Sequence, residues 1–179
     1  MRKIILIAAL VAVWPTAALS QEVLQQTAPL NLTAVAERDF QSVPTVRVSL
    51  GTFRSRWYRE FTPELVAFKP ADADAVVSLR LHLSPLRSPG RIVSATTREG
   101  EALTLGASSP DGFRCRGRNC YNRDTALFNI PGPALERLRA GTDAEVMVRT
   151  TDGDHDFVLT IPSRALAALE ATEGSAFVK

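Results

Sequence analysis

The chain has 179 residues, with 21 Lys+Arg against 19 Asp+Glu, 45% hydrophobic side chains and two cysteines. This composition excludes a disordered tail, and the length suffices to bury a core without covalent staples. The two surplus positive charges are Arg2 and Lys3, so the rest of the chain is neutral and bulk charge gives no support to a nucleic-acid partner.

Residues 1–20 read as a secretory signal peptide. Arg2 and Lys3 form a positive start, Ile4 to Trp14 an uncharged apolar stretch, and Pro15 breaks it. Ala18 and Ser20 then put small residues at the −3 and −1 positions before Gln21. The apolar run is shorter than the roughly twenty residues of a membrane span, and no later segment reaches that length. No cysteine follows it, so a lipid-modified terminus is not indicated. The expectation is an exported protein, periplasmic or secreted, with no transmembrane segment after cleavage. Residues 21–44, Gln-rich at the start and weakly periodic, are expected to be a flexible segment, with a short helix over Leu32 to Phe40 as the alternative. Residues 45–179 are expected to form a single β-rich domain.

From residue 45 the apolar period becomes two. "TVRVSL" sets Val46, Val48 and Leu50 on one face. "DAVVSLRLHL" turns Val77, Leu79, Leu81 and Leu83 inward and Ser78, Arg80 and His82 outward, the pattern of an antiparallel strand with one wet face. "RIVSATT" and "EALTL" flank a hairpin at Arg98-Glu99-Gly100. "TALFNI", "AEVMVRT" and "DFVLTI" supply three more strands, the last two joined across Asp152-Gly153, which suits a type I′ turn. Two short helices interrupt the strands and resemble each other: "IPGPALERL" (130–138) and "IPSRALAAL" (161–169) match at Ile, Pro, Ala, Leu and Leu with an offset of 31. Pro133 fits a first helical position and Gly141 a stop; Ser163 fits an N-cap and Gly174 a stop. The predicted class is a mainly β, antiparallel sandwich or barrel-like domain with two short helices near the C-terminus.

Chemistry-bearing residues are few. Cys115 and Cys120 are the only cysteines. In an exported protein an even count favours a disulfide, here closing a small loop. With His82 and His155 they would make four zinc ligands, but the spacing fits no common zinc pattern, and neither metal nor cofactor is expected. "DGDHD" alternates Asp152, Asp154 and Asp156 but lacks the glycine and glutamate of a calcium loop, and reads as an acidic hairpin tip. No nucleophile elbow, H-E-x-x-H or phosphate-cradling glycine loop occurs. The two densest basic stretches are "RSRWYREF" (Arg54, Arg56 and Arg59 with Trp57 and Tyr58) and the cysteine loop (Arg114, Arg116, Arg118). Guanidinium forks suit phosphate and carboxylate, and aromatics offer a stacking platform. These eight residues are the expected ligand-binding set if the two stretches converge. The alternative is that they are solvated strand faces and loop tips with the aromatics in the core.

The C-terminal part, with its close cysteine pair, a strand, "LRAG" (138–141), a hairpin and "ALAAL" (165–169), resembles the tail of the invasion-associated locus B family, small exported β proteins of Gram-negative bacteria. The resemblance covers residues 113–169; Pro162-Ser163 stands where that family tends to have Gly-Phe. It implies an exported β domain without cofactor. The sequence thus predicts a non-catalytic periplasmic or cell-surface binding or accessory domain, its partner an anionic envelope polymer, a host ligand or a protein. The rival is an exported hydrolase of unrecognised type, which a pocket joining His82 or His155 to a buried carboxylate would favour.

Overall fold

Alternating apolar residues build almost every strand, and the computed structural model follows that alternation into one curled sheet. It describes residues 24–38, 44–56, 58–69, 74–85, 91–116, 119–151, 153 and 156–176, and for 37–38, 59, 85, 107–116, 119–124 and 173–176 it describes the backbone. The expected signal peptide, Trp57, Arg118, Asp152, Asp154 and His155 lie outside the described residues. In chain order the strands are β1 (Gln25–Ala28), β2 (Asn31–Arg38), β3 (Pro44–Ser49), β4 (Thr52–Arg54), β5 (Tyr58–Phe68), β6 (Val76–Pro85), β7 (Ile92–Thr97), β8 (Ala102–Arg116), β9 (Asn119–Asn129), β10 (Ala144–Thr150) and β11 (Phe157–Ile161). The helices α1 (Gly132–Arg139) and α2 (Ser163–Ala176) follow β9 and β11.

All pairings are antiparallel, and the hydrogen-bonded order is β1-β4-β5-β6-β9-β8-β7-β10-β11, with β2 on β3 and β3 on β5. One edge of β5 is therefore shared end to end by β3 and β4. The break between them falls at Gly51, whose φ is +112° and where a Cβ would lie 2.8 Å from the Ala28 carbonyl oxygen. Only glycine fits that corner. Two register shifts in β8, at Leu105/Ala107 and Pro110/Phe113, bend the long β8–β9 ribbon between the two halves of the sheet.

The inner side of the curl is the core. Val46, Val48, Leu65, Leu79, Leu81, Leu83, Phe128, Val146 and Val148 are buried there, as their alternation requires. Tyr58 and Phe61 each meet Phe157 edge to face, Phe61 and Phe157 with ring centroids 4.9 Å apart, and Tyr58 and Phe61 are tilted against each other. Helix α2 packs on β2, β3 and β5, with Ala165, Leu166 and Leu169 buried in the same core. The offset of 31 survives as shared burial: Ile130 and Ile161, Ala134 and Ala165, Leu138 and Leu169 are all buried. Arg139 and Glu170, also 31 apart, clip the helices together at 2.8 Å.

Several expectations change. Residues 25–38 form β1 and β2, so the sheet begins at Gln25 rather than 45, and no helix occupies the described part of 32–40. The alternation there is weak because β2 is an edge strand with Leu32 and Val35 exposed. Strand β5, hidden in sequence by its charged start and Pro63, is a central strand. Ser163 is the first helical residue rather than the cap. Its N–H is instead taken by Asp143 Oδ1 at 2.8 Å, and this bond, with one from the Ser163 hydroxyl, holds the Asp143 carboxyl below its usual value. The helix runs through Gly174 to Ala176. The β10–β11 ladder ends at Val148 and Phe157 rather than at a two-residue turn. Buried Asp156 accepts instead from the Thr150 N–H at 2.7 Å and hydroxyl at 3.1 Å. The turn at Gly100 and the stop at Gly141 are as expected, both at positive φ. Among the described residues no helix is long and apolar enough to cross a membrane.

Candidate functional site

The residues that alternate away from the core form a second, outer face, and its centre is polar. Register sets Glu64 of β5 beside Arg80 of β6, Thr62 beside His82, and His82 beside Thr125 of β9. Arg47 of β3 lies two residues along, opposite Val66. The four strands thus deliver Arg47, Glu64, Arg80, His82 and Thr125 to one patch.

Glu64 is only 4% exposed. Its Oε1 accepts from Arg47 Nη1 at 2.7 Å, and its Oε2 from Arg80 Nε at 2.8 Å and Nη2 at 2.7 Å. His82 Nε2 stands 3.3 Å from the same Oε2, and His82 Nδ1 lies 3.1 Å from Thr125 Oγ1. With neutral imidazole the network assigns the Nε2–H tautomer, donating to Glu64 and accepting from the Thr125 hydroxyl. Burial alone would raise the Glu64 carboxyl. The His82 hydrogen bond, the Arg80 charge and the Arg47 hydrogen bond outweigh burial and hold it at about 2. Next along the face Ser78, fully buried, donates to Asn129 Oδ1 at 2.8 Å. The outward residues Ser78, Arg80 and His82 are therefore on the expected face, but that face is a bonded polar layer.

Glu64 is absent from the residues expected at a site. Its sequence signal is weak: a glutamate in "TPELVAF", two residues of alternation away from Thr62 and Val66, in a stretch whose charges and proline mask its strand period.

Of the eight expected ligand-binding residues, Tyr58 is corrected outright. It is 1% exposed, packed on Phe61 and Phe157, and is core rather than platform, because β5 turns it inward opposite Pro85. Arg54 ends β4, exposed, its Nε donating to Gln25 Oε1 at 3.1 Å. Arg56 is exposed, and Arg59 is described by its backbone in β5. Arg114 and Arg116 lie on β8 opposite Tyr121 and Asn119. Trp57 and Arg118 are outside the described residues.

Topology brings the two basic stretches to the same end of the sheet. The start of β5 pairs with the end of β6 at Tyr58↔Pro85, and β6 pairs with β9 as far as Leu83↔Asp124. From that level β8 and β9 continue together to Arg116↔Asn119, while β4 lies on the other edge of β5. Arg54, Arg56 and the β8–β9 tip therefore share one end, separated across the sheet by the widths of β5, β6 and β9.

Other ion pairs are fastenings. Arg137 of α1 reaches Glu101 and, at 3.0 Å, Glu99 on the β7–β8 hairpin, and this holds the Glu101 carboxyl below its usual value. Arg98 pairs with Glu145 at 3.0 Å. No group of three His, Cys, Asp or Glu placed to hold a metal occurs among the described residues. No protein family, curated protein or solved structure matches this chain.

Proposed function

We propose that the protein is an exported binding or accessory domain, non-catalytic, whose arginine-rich sheet end takes an anionic envelope polymer or host ligand. The observation that supports this reading is the shared end of β4, β5 and the β8–β9 tip, which gathers arginines distant in sequence although the chain beyond its first twenty residues is neutral. Arginine forks recognise phosphate and carboxylate in two-point geometry. Purified protein should bind lipopolysaccharide or an acidic glycan at low salt and release it as salt rises, because screening acts over about 8–10 Å near physiological ionic strength. Absence of binding at any ionic strength refutes the proposal.

One observation favours a hydrolase as second reading. Thr125 Oγ1, His82 and Glu64 form a hydroxyl–imidazole–carboxylate chain, the arrangement that activates a nucleophile. Against it, the Glu64 charge is already shared by two guanidinium groups, so it has less to give an imidazolium. A fluorophosphonate probe labelling Thr125, with loss on His82→Ala, would establish the hydrolase; an unlabelled protein removes it.

A further inference from the structure

Alternation on β9 carries the face of Thr125 on to Arg123, Tyr121 and Asn119. Register then adds Arg114, opposite Tyr121, and Arg116, opposite Asn119. By register position Arg114, Arg116, Tyr121 and Arg123 therefore belong to one face of the ribbon tip, continuous with the outer face that carries Arg80 and His82. The opposite face holds Phe113, Cys115, Cys120 and Asn122. Residues 110–124 contain four arginines and two acids. Asp124 falls on the cysteine face, and Asp111 lies within the register shift.

Two features bear on the partner. The arginine face lies on a two-stranded ribbon that runs past the end of the β6–β9 pairing. Positions two apart on a strand are about 6.8 Å from each other. Such a layout meets an extended array of anions better than one small ligand, and a tyrosine among arginines suits an interface between water and lipid. The cysteines are directly opposite. Residues so placed in an antiparallel pair have Cα atoms about 4.5 or 5.5 Å apart, and both separations lie within the roughly 4.4–6.8 Å that a disulfide spans.

We propose that this arginine face docks on a membrane bearing acidic phospholipid, its phosphate groups meeting Arg114, Arg116 and Arg123, and that a Cys115–Cys120 disulfide on the opposite face holds the ribbon in shape. The bond forms by thiol–disulfide exchange. Each cysteine gives up one proton and one electron, and a partner disulfide of the exporting compartment leaves as two thiols. The inference rests on the anionic-ligand reading and narrows it to lipid phosphate.

The test is sedimentation of the mature protein with vesicles of phosphatidylcholine, alone or mixed with phosphatidylglycerol, and with inorganic phosphate as competitor. Binding is expected to the mixed vesicles alone, resistant to inorganic phosphate and lost at high salt. The triple variant Arg114→Glu/Arg116→Glu/Arg123→Glu should lower it at least about a hundredfold, from roughly fivefold for each cation removed near an acidic surface, with melting temperature nearly unchanged. The Cys115→Ser/Cys120→Ser variant, or reduction of the wild type, should weaken it several-fold. Equal binding to both vesicles, or a folded triple variant that binds as wild type, overturns the lipid proposal. Wild-type binding by the cysteine variant overturns the role of the disulfide. Binding to lipopolysaccharide or acidic glycan that is lost on Arg54→Glu/Arg56→Glu but kept by the triple variant leaves the broader function standing and removes this inference.

Discussion

Arginines occupy two regions of the same outer face under different conditions. At the centre, Arg47 and Arg80 stand beside a buried carboxylate that takes a hydrogen bond from each, with His82 closing the group. At the end, the β8–β9 tip gathers arginines on one face of a projecting ribbon, with acids scarce in that segment. A guanidinium committed to a carboxylate inside the sheet serves folding, because separating them leaves a buried charge. A solvated surface cation contributes little to folding, and those at the tip are proposed to meet a partner. Residue type alone does not distinguish the two; position on the sheet does.

The largest effect expected tests whether the aromatic beside the basic end belongs to ligand or core. Tyr58→Ala should cost about 3–5 kcal/mol, the range for removing a buried aromatic ring, read by urea denaturation. A loss within about 0.5 kcal/mol, the scale of ordinary surface changes, would return Tyr58 to the binding surface.

The second test addresses the central carboxylate through pH. Glu64 titrates at about 2 in the folded chain against 4.5 ordinarily. A depressed folded value gives stability that is complete above about pH 4.5 and is lost as pH falls towards 2. The linkage amounts to roughly 3 kcal/mol. Chemical denaturation between pH 7 and 2.5 should show this slope in the wild type and a shallower one in Glu64→Gln. Parallel slopes would mean that Glu64 is not the titrating group. At pH 7, Glu64→Ala should itself cost about 2–4 kcal/mol, at the lower side of broken buried pairs because Arg47 is partly solvated.

Closing the cysteine loop should be worth about 2 kcal/mol on the loop-entropy account. Comparison of Cys115→Ser/Cys120→Ser with wild type, under oxidising and reducing conditions, measures it. Two free thiols in unfolded, unreduced protein would show that no bond exists. Smallest of all, charge reversal at Arg114 and Arg116 should move stability by no more than about 0.5 kcal/mol. A larger loss would place them among the fastening arginines and erase the contrast between centre and end.

Period-two alternation was enough to determine the mainly antiparallel β class and the inward set Val46, Val48, Leu79, Leu81 and Leu83, while proline and glycine punctuation marked the hairpin at Gly100 and the two helices after Ile130 and Ile161. These follow from local rules, since side chains on a strand alternate whatever the neighbours are. Tertiary structure alone decided the rest. Strand β5 is central because β3, β4 and β6 pair with it, although its own charges and proline obscured its period. Glu64 became a buried group only when Arg47 and Arg80, seventeen and sixteen residues away, were brought beside it by register. The placing of the basic stretches at one sheet end, three strands apart, was likewise invisible in sequence, because it depends on which strands are neighbours. Alternation fixes which face a residue takes, whereas pairing between distant segments fixes what that face contains.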